Sequence, residues 1–225
     1  MPARRLLTAA AVALATAVPA AAAAAPAGPV RLAGTTEVPV ERGTARFRPS
    51  PDLRTALRAN GVVLARIGAE RRGAARRSSG GFTLRLTGGA VTSGGGKLGG
   101  ELRFGRAGMA LIRNGTPRRT VRLTRIEVNL GQGVLTAARP NGTRITVGTF
   151  RRPATDSALD VRTRTVRMNL VIRATPAVEG FDAALGTRAF AAGRSLLHAR
   201  IVARLDRTAD LRTALNLGRS GRPAD

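Results

Sequence analysis

The chain has 225 residues, with 38 lysines and arginines against 13 aspartates and glutamates, a formal net charge of +25. It contains no cysteine, tryptophan or tyrosine, and its one histidine is His198. These counts exclude a disulfide framework, a thiolate nucleophile, Cys-based metal centres and any site that needs two histidines. All the basic residues but Lys97 are arginine, in a chain also rich in alanine and glycine. A GC-rich genome produces that preference. It does not produce the scarcity of acids, so the net charge stands as a physical property that attracts polyanions.

Residues 1–27 read as a secretory signal peptide, with Arg4 and Arg5 ahead of an apolar stretch from Leu6 to Val18. Pro19 ends that stretch, and small residues follow through Ala27. The expected location is secreted or associated with the cell envelope, with no transmembrane segment after cleavage. Removal of the signal lowers the net charge by two. Residues 28–47 read as a leader and first strand, 48–205 as a β domain, and 206–225 as a short helix with a frayed tail.

The first strand is expected at Thr44 to Arg48. Ser50-Pro51-Asp52 then starts a helix, with Ser50 as N-cap, Pro51 at the first helical position and Asp52 on the positive end. Leu53, Ala56 and Leu57 share one face, and Asn60-Gly61 ends the helix before a strand at Val62 to Ile67. A basic loop from Glu70 to Gly81 carries Arg71, Arg72, Arg76 and Arg77, the candidate contacts for a polyanion. Phe82, Leu84 and Leu86 alternate with Thr83, Arg85 and Thr87, the period of a half-buried strand. Gly88 to Gly96 reads as a glycine-rich connection, and Leu98 to Phe104 resumes the alternation.

Asn114-Gly115 and Asn141-Gly142 each lie between apolar runs, a strong hairpin signal. On the strand after the first pair, Val121 and Leu123 are out of phase with Ile126, Val128 and Leu130, which predicts a bulge near Thr124. Thr165 to Arg173 alternates cleanly, with Val166, Met168, Leu170 and Ile172 inward. A second helix follows, capped by Thr175 and started by Pro176. The last strand runs from Leu197 to Leu205 with His198, Arg200 and Arg204 outward. The repeat DLRTAL, at Asp52 to Leu57 and Asp210 to Leu215, reads as two similar helical turns. The fold class is therefore all-β, an antiparallel sandwich or barrel-like sheet with two or three short helices.

Catalytic patterns fail in turn. A serine–histidine–acid triad would need His198, which alternation places among arginines on an outward face. Glu127, Asp156, Asp160, Glu179 and Asp182 are the acids open to a hydrolase acting on an envelope polymer, and are expected to pair with arginines. Ser93 to Leu98, SGGGKL, lacks the first glycine of a P-loop and has Leu98 where a magnesium-binding hydroxyl belongs. The six phenylalanines fit inward positions and leave no ring for stacking bases, so no specific nucleic acid is expected. Acidic envelope polymers and anionic lipid remain as partners of the basic surface.

Three stretches carry a family resemblance: Gly95 to Phe104 (GGKLGGELRF), Val121 to Ala137 (VRLTRIEVNLGQGVLTA) and Phe181 to Leu197 (FDAALGTRAFAAGRSLL). In this order the chain resembles the HtaA-like (haem-transport-associated) domains of exported actinobacterial proteins. The resemblance spans Arg48 to Leu205. It implies an exported β-sandwich and haem as the cofactor to consider. Haem binding in that family is associated with a tyrosine, which this chain lacks; His198 is the remaining candidate ligand, since Met109 and Met168 read as core residues. The expected function is a non-catalytic binding or structural module at the cell envelope. The alternatives are a hydrolase of an envelope polymer and a binder of acidic polymers or anionic lipid.

Overall fold

Alternating sequences of this kind bury one face of each strand, and closing the sheet on itself is one way to bury them all. The computed structural model describes residues 36–68, 76–77 and 80–217. In chain order, β1 (Val38–Pro49) leads into helix α1 (Pro51–Ala59), β2 (Val62–Ile67) and the short β3 (Arg76–Arg77). There follow β4 (Phe82–Arg85), β5 (Gly88–Gly94), β6 (Lys97–Arg103), β7 (Gly108–Arg113), β8 (Arg119–Asn129), β9 (Val134–Ala138) and β10 (Arg144–Thr149). Helix α2 (Thr155–Ala158) and β11 (Leu159–Asp160) precede β12 (Thr165–Ala174). A 3-10 turn at Pro176–Val178, helix α3 (Gly180–Leu185), β13 (Ser195–Leu205) and α4 (Leu211–Ala214) complete the described chain.

The strands form one antiparallel sheet, and pairing of β8 with both β6 and β9 closes a ring of β1, β5, β6, β8, β9, β10, β12 and β13. Two further strands, β7 and β2, extend from the first half of β8. β4 pairs β1 beyond the point where β5 leaves it. The fold is all-β, and its form is a barrel of a size whose interior side chains can fill. Phe47, Leu84, Leu98, Leu102, Phe104, Leu123, Ile126, Leu135, Ile172 and Ile201 are the large side chains that do so. Phe47 stacks on Phe82 with ring centres 5.2 Å apart and meets Phe104 edge-on at 5.8 Å.

Local chemistry explains most of the elements. Ser50 Oγ accepts from the Leu53 amide at 3.2 Å and donates to the Ser195 carbonyl at 2.6 Å, which caps α1 and ties it to β13. Leu53 and Leu57 bury the inner face of α1 in the core. The expected bulge on β8 is present between Thr124 and Glu127, and Arg125 takes a left-handed φ of 48° there. This phase change is what lets Leu123 and Ile126 both point inward. Both DLRTAL copies are helical turns, with Leu53, Leu57, Leu211 and Leu215 buried.

Two expectations need correction. Gly88 to Gly94 is not a connection but strand β5, paired along its whole length with β6, and only Gly95 and Gly96 make the turn. Gly89 and Gly100 permit this because the two backbones approach too closely there for side chains. A Cβ at Gly100, where φ is +94°, would lie 2.2 Å from the Ala90 carbonyl oxygen. Thr175 does not cap the second helix. Its hydroxyl donates to the Thr146 and Val147 carbonyls on β10 and fastens the 3-10 turn to the barrel.

Gly100→Ala, which at a compatible site would stabilise, is expected here to cost more than about 1 kcal/mol, and Leu102→Ala about 2–5 kcal/mol by leaving a cavity. Urea denaturation of the two variants checks both values.

Candidate functional site

Strands β4, β1, β13 and β12 lie side by side, and their register converts four separate alternating sequences into one grid on the outer surface. Arg42 on β1 is opposite Arg204 on β13, Arg46 opposite Arg200, and Arg48 opposite His198. Between the first two of these rungs, Thr44 is opposite Val202. The flanking columns are complementary. Thr165, Asn169 and Val171 on β12 sit beside the three charged rungs, with Thr83 on β4 beside Arg46. Arg85 and Arg167 flank the uncharged Thr44–Val202 step instead.

Like charges directly opposite one another on antiparallel strands destabilise the pairing. None of the arginines in these rungs forms an ion pair among the described residues. Acids lie at the margins: Glu41 falls in the bulge at the start of the pairing, Asp206 directly follows β13, and Asp160 ends β11 beside Thr165. Hydrogen bonds from the Thr163 hydroxyl and amide hold the Asp160 carboxyl below the usual carboxylate range, with Arg167 adding to the effect. An open depression of about 490 Å³ sits at one end of the grid, rimmed by Arg42, Arg85, Arg167 and Arg204, with Gly43, Thr44 and Val202 among its lining residues. Val171, 50% exposed, is the large apolar side chain left in solvent on this wall.

The ion pairs among the described residues lie elsewhere on the ring. Glu101 pairs Arg103 at 2.7 Å on β6, and Glu127 on β8 pairs Arg144 on β10. Burial raises the Glu127 carboxyl above its ordinary value, and the Arg144 charge opposes this only in part. Acids thus pair Arg103 and Arg144 there, while no rung arginine on the β1–β13 wall is paired with an acid among the described residues.

The residues picked out in the sequence divide differently. Arg71 and Arg72 lie outside the described residues, while Arg76 and Arg77 form β3 and pair through their backbones with Arg66 and Ala65 at the sheet edge. His198 is exposed in the third rung, its Nε2 3.4 Å from Ser195 Oγ. Met109 and Met168 are buried in the core. Of the acids considered for catalysis, only Glu127 pairs with an arginine. Asp156 accepts from the Ser157 amide, Glu179 from the Ala192 amide, and Asp182 from the Thr187 hydroxyl and two loop amides. The expected acid–arginine pairing fails for these three and for Asp160, whose carboxylates are taken up by nearby amides and hydroxyls. No group of histidines and acids able to hold a metal occurs among the described residues.

No family model matches the chain, and no curated protein does. Among solved structures it is similar to the C-terminal domain of HtaA from Corynebacterium glutamicum, at 12% identity and a TM-score of 0.48. The match covers 75% of this chain and 99% of that one. Among the described residues no helix is long and apolar enough to cross a membrane.

Arg200→Thr is expected to raise stability by about 0.2–1 kcal/mol by removing the repulsion from Arg46, most clearly at low salt. Adding Arg46→Thr gains little more, since the opposition is already gone; a double-mutant cycle in urea measures this. For Glu127 the folded carboxyl titrates above the unfolded one. Its contribution to stability is complete below the unfolded pKa and is lost as pH rises through the folded pKa. The stability difference between the wild type and Glu127→Gln therefore falls across the acid range as pH increases, which denaturation at several pH values records.

Proposed function

We propose that this chain is a non-catalytic binding module, exported to the cell envelope, that holds an anionic partner on the wall built by β4, β1, β13 and β12. One observation carries the reading: cations stand directly opposite cations on β1 and β13, with no acid between them. A surface optimised only for folding would place a carboxylate or a neutral residue in one member of each rung. A partner anion between the two strands supplies the missing counter-charge.

The signal-like segment at residues 1–27 supports export, which brings the wall into contact with acidic envelope polymers and anionic lipid rather than with the genome. Arginine suits the task, because its planar fork binds phosphate and carboxylate through paired hydrogen bonds and stays charged at any physiological pH. The wall, rather than His198 as an iron ligand, is the feature on which this reading stands.

Inorganic polyphosphate serves as a generic probe. Its affinity for the full chain is expected to fall steeply with salt, because binding releases condensed counterions. Arg46→Glu with Arg200→Glu abolishes the binding, whereas Arg103→Glu on the opposite wall leaves it in place. Affinity that is insensitive to salt, or equally lost in both variants, overturns the reading.

A further inference from the structure

We propose that the β1–β13 ladder is a track for a linear polyol phosphate, a polymer with phosphodiesters in its backbone, lying lengthwise along the two strands. This rests on the wall being an anion-binding surface, and it names the ligand.

The first argument is width. In the two arginine rungs, Arg42–Arg204 and Arg46–Arg200, the cations occupy the two central columns and their described flanking neighbours carry no charge, while Arg85 and Arg167 on the flanking strands stand at the step between the rungs. A bilayer would press on the whole wall and gain from charge in every column. A single chain needs the two central columns, with flanking cations only at the step between rungs, where Arg85 and Arg167 stand.

Spacing gives the second argument. The rungs Arg46–Arg200 and Arg48–His198 are two residues apart on each strand, about 7 Å, and Arg42–Arg204 lies about twice as far beyond. An extended glycerol-phosphate repeat has as many backbone bonds as two residues of strand. Its phosphates therefore recur at the interval of outward-facing side chains.

The third is symmetry. A phosphodiester keeps its charge on the axis of the polymer, and its two free oxygens diverge, one toward each strand of a rung. The carboxylate of a uronic acid hangs to one side of its ring and reaches one column better than the other. Single-stranded nucleic acid shares the phosphodiester but needs rings on which its bases can stack. Among the described residues Phe47, Phe82, Phe104, Phe150, Phe181 and Phe190 are all buried. At the uncharged Thr44–Val202 step, the depression between Arg85 and Arg167 leaves room for a polyol or its substituent.

The test titrates the full chain with a synthetic glycerol-phosphate oligomer, oligothymidylate and polygalacturonate of matched charge, and vesicles of phosphatidylglycerol and phosphatidylcholine. The glycerol phosphate is expected to bind tightest. Arg46→Gln with Arg200→Gln weakens it about tenfold or more and lowers its salt slope by about one, for the one phosphate that this rung neutralises. Arg103→Gln changes neither. Equal or tighter binding of the uronate, the oligonucleotide or the vesicles overturns the polyol phosphate and leaves the wall as an anion site. An equal loss in Arg103→Gln overturns the ladder as the track. No salt-dependent binding of any of the four probes overturns both.

Discussion

The pairing of β1 with β13 is the contact on which the rest of the barrel depends. It runs from Val40 opposite Leu205 to Pro49 opposite Leu197 and joins strands far apart in sequence. Its inner face contributes Phe47, Ala45, Ile201 and Ala203 to the core, and each of these is almost fully buried. The outer face of the same strands carries like charges in opposition. Apolar burial on one side of a sheet is strong enough to hold together a pairing whose other side repels: a buried large side chain is worth about 1.5–3 kcal/mol, and a cross-strand charge pair costs about 0.2–1 kcal/mol. The protein thus carries an electrostatic cost at its surface that its core can absorb.

Much of the fold is legible in the sequence because it is periodic. Val166, Met168, Leu170 and Ile172 alternate without interruption and are all buried. The phase change between Leu123 and Ile126 marks the bulge, and Ser50-Pro51 marks the start of α1. β5 is hidden because Gly88 and Gly89 have no side chain with which to show a period, and Gly89 lets the β6 backbone at Glu101 come close. Closure through β8 and β9 is equally invisible, since strand order is a long-range property that alternation does not encode.

The candidate site shows the same division. Alternation alone places Arg200, Arg204 and His198 outward, and a strand near Thr44 to Arg48 places Arg46 outward. What it cannot give is the register that sets Arg46 opposite Arg200. A scattered basic shell and an ordered ladder have the same one-dimensional pattern, and only the neighbouring strand distinguishes them. The cluster Arg71, Arg72, Arg76 and Arg77 stands out in the sequence because its members are adjacent. The rungs do not stand out because about 150 positions separate their two halves.

Because each rung takes one side chain from β1 and its opposite from β13, neither strand holds any part of the ladder by itself. Contacts this distant in sequence form late and slowly, after much loop-closure entropy has been lost. The ladder is therefore completed by the same event that completes the barrel. A chain cut or stalled before β13 still has its arginines and its attraction for polyanions, but it has no rungs. The opposed arrangement of cations, unlike the net charge, is in this protein a property of the finished fold.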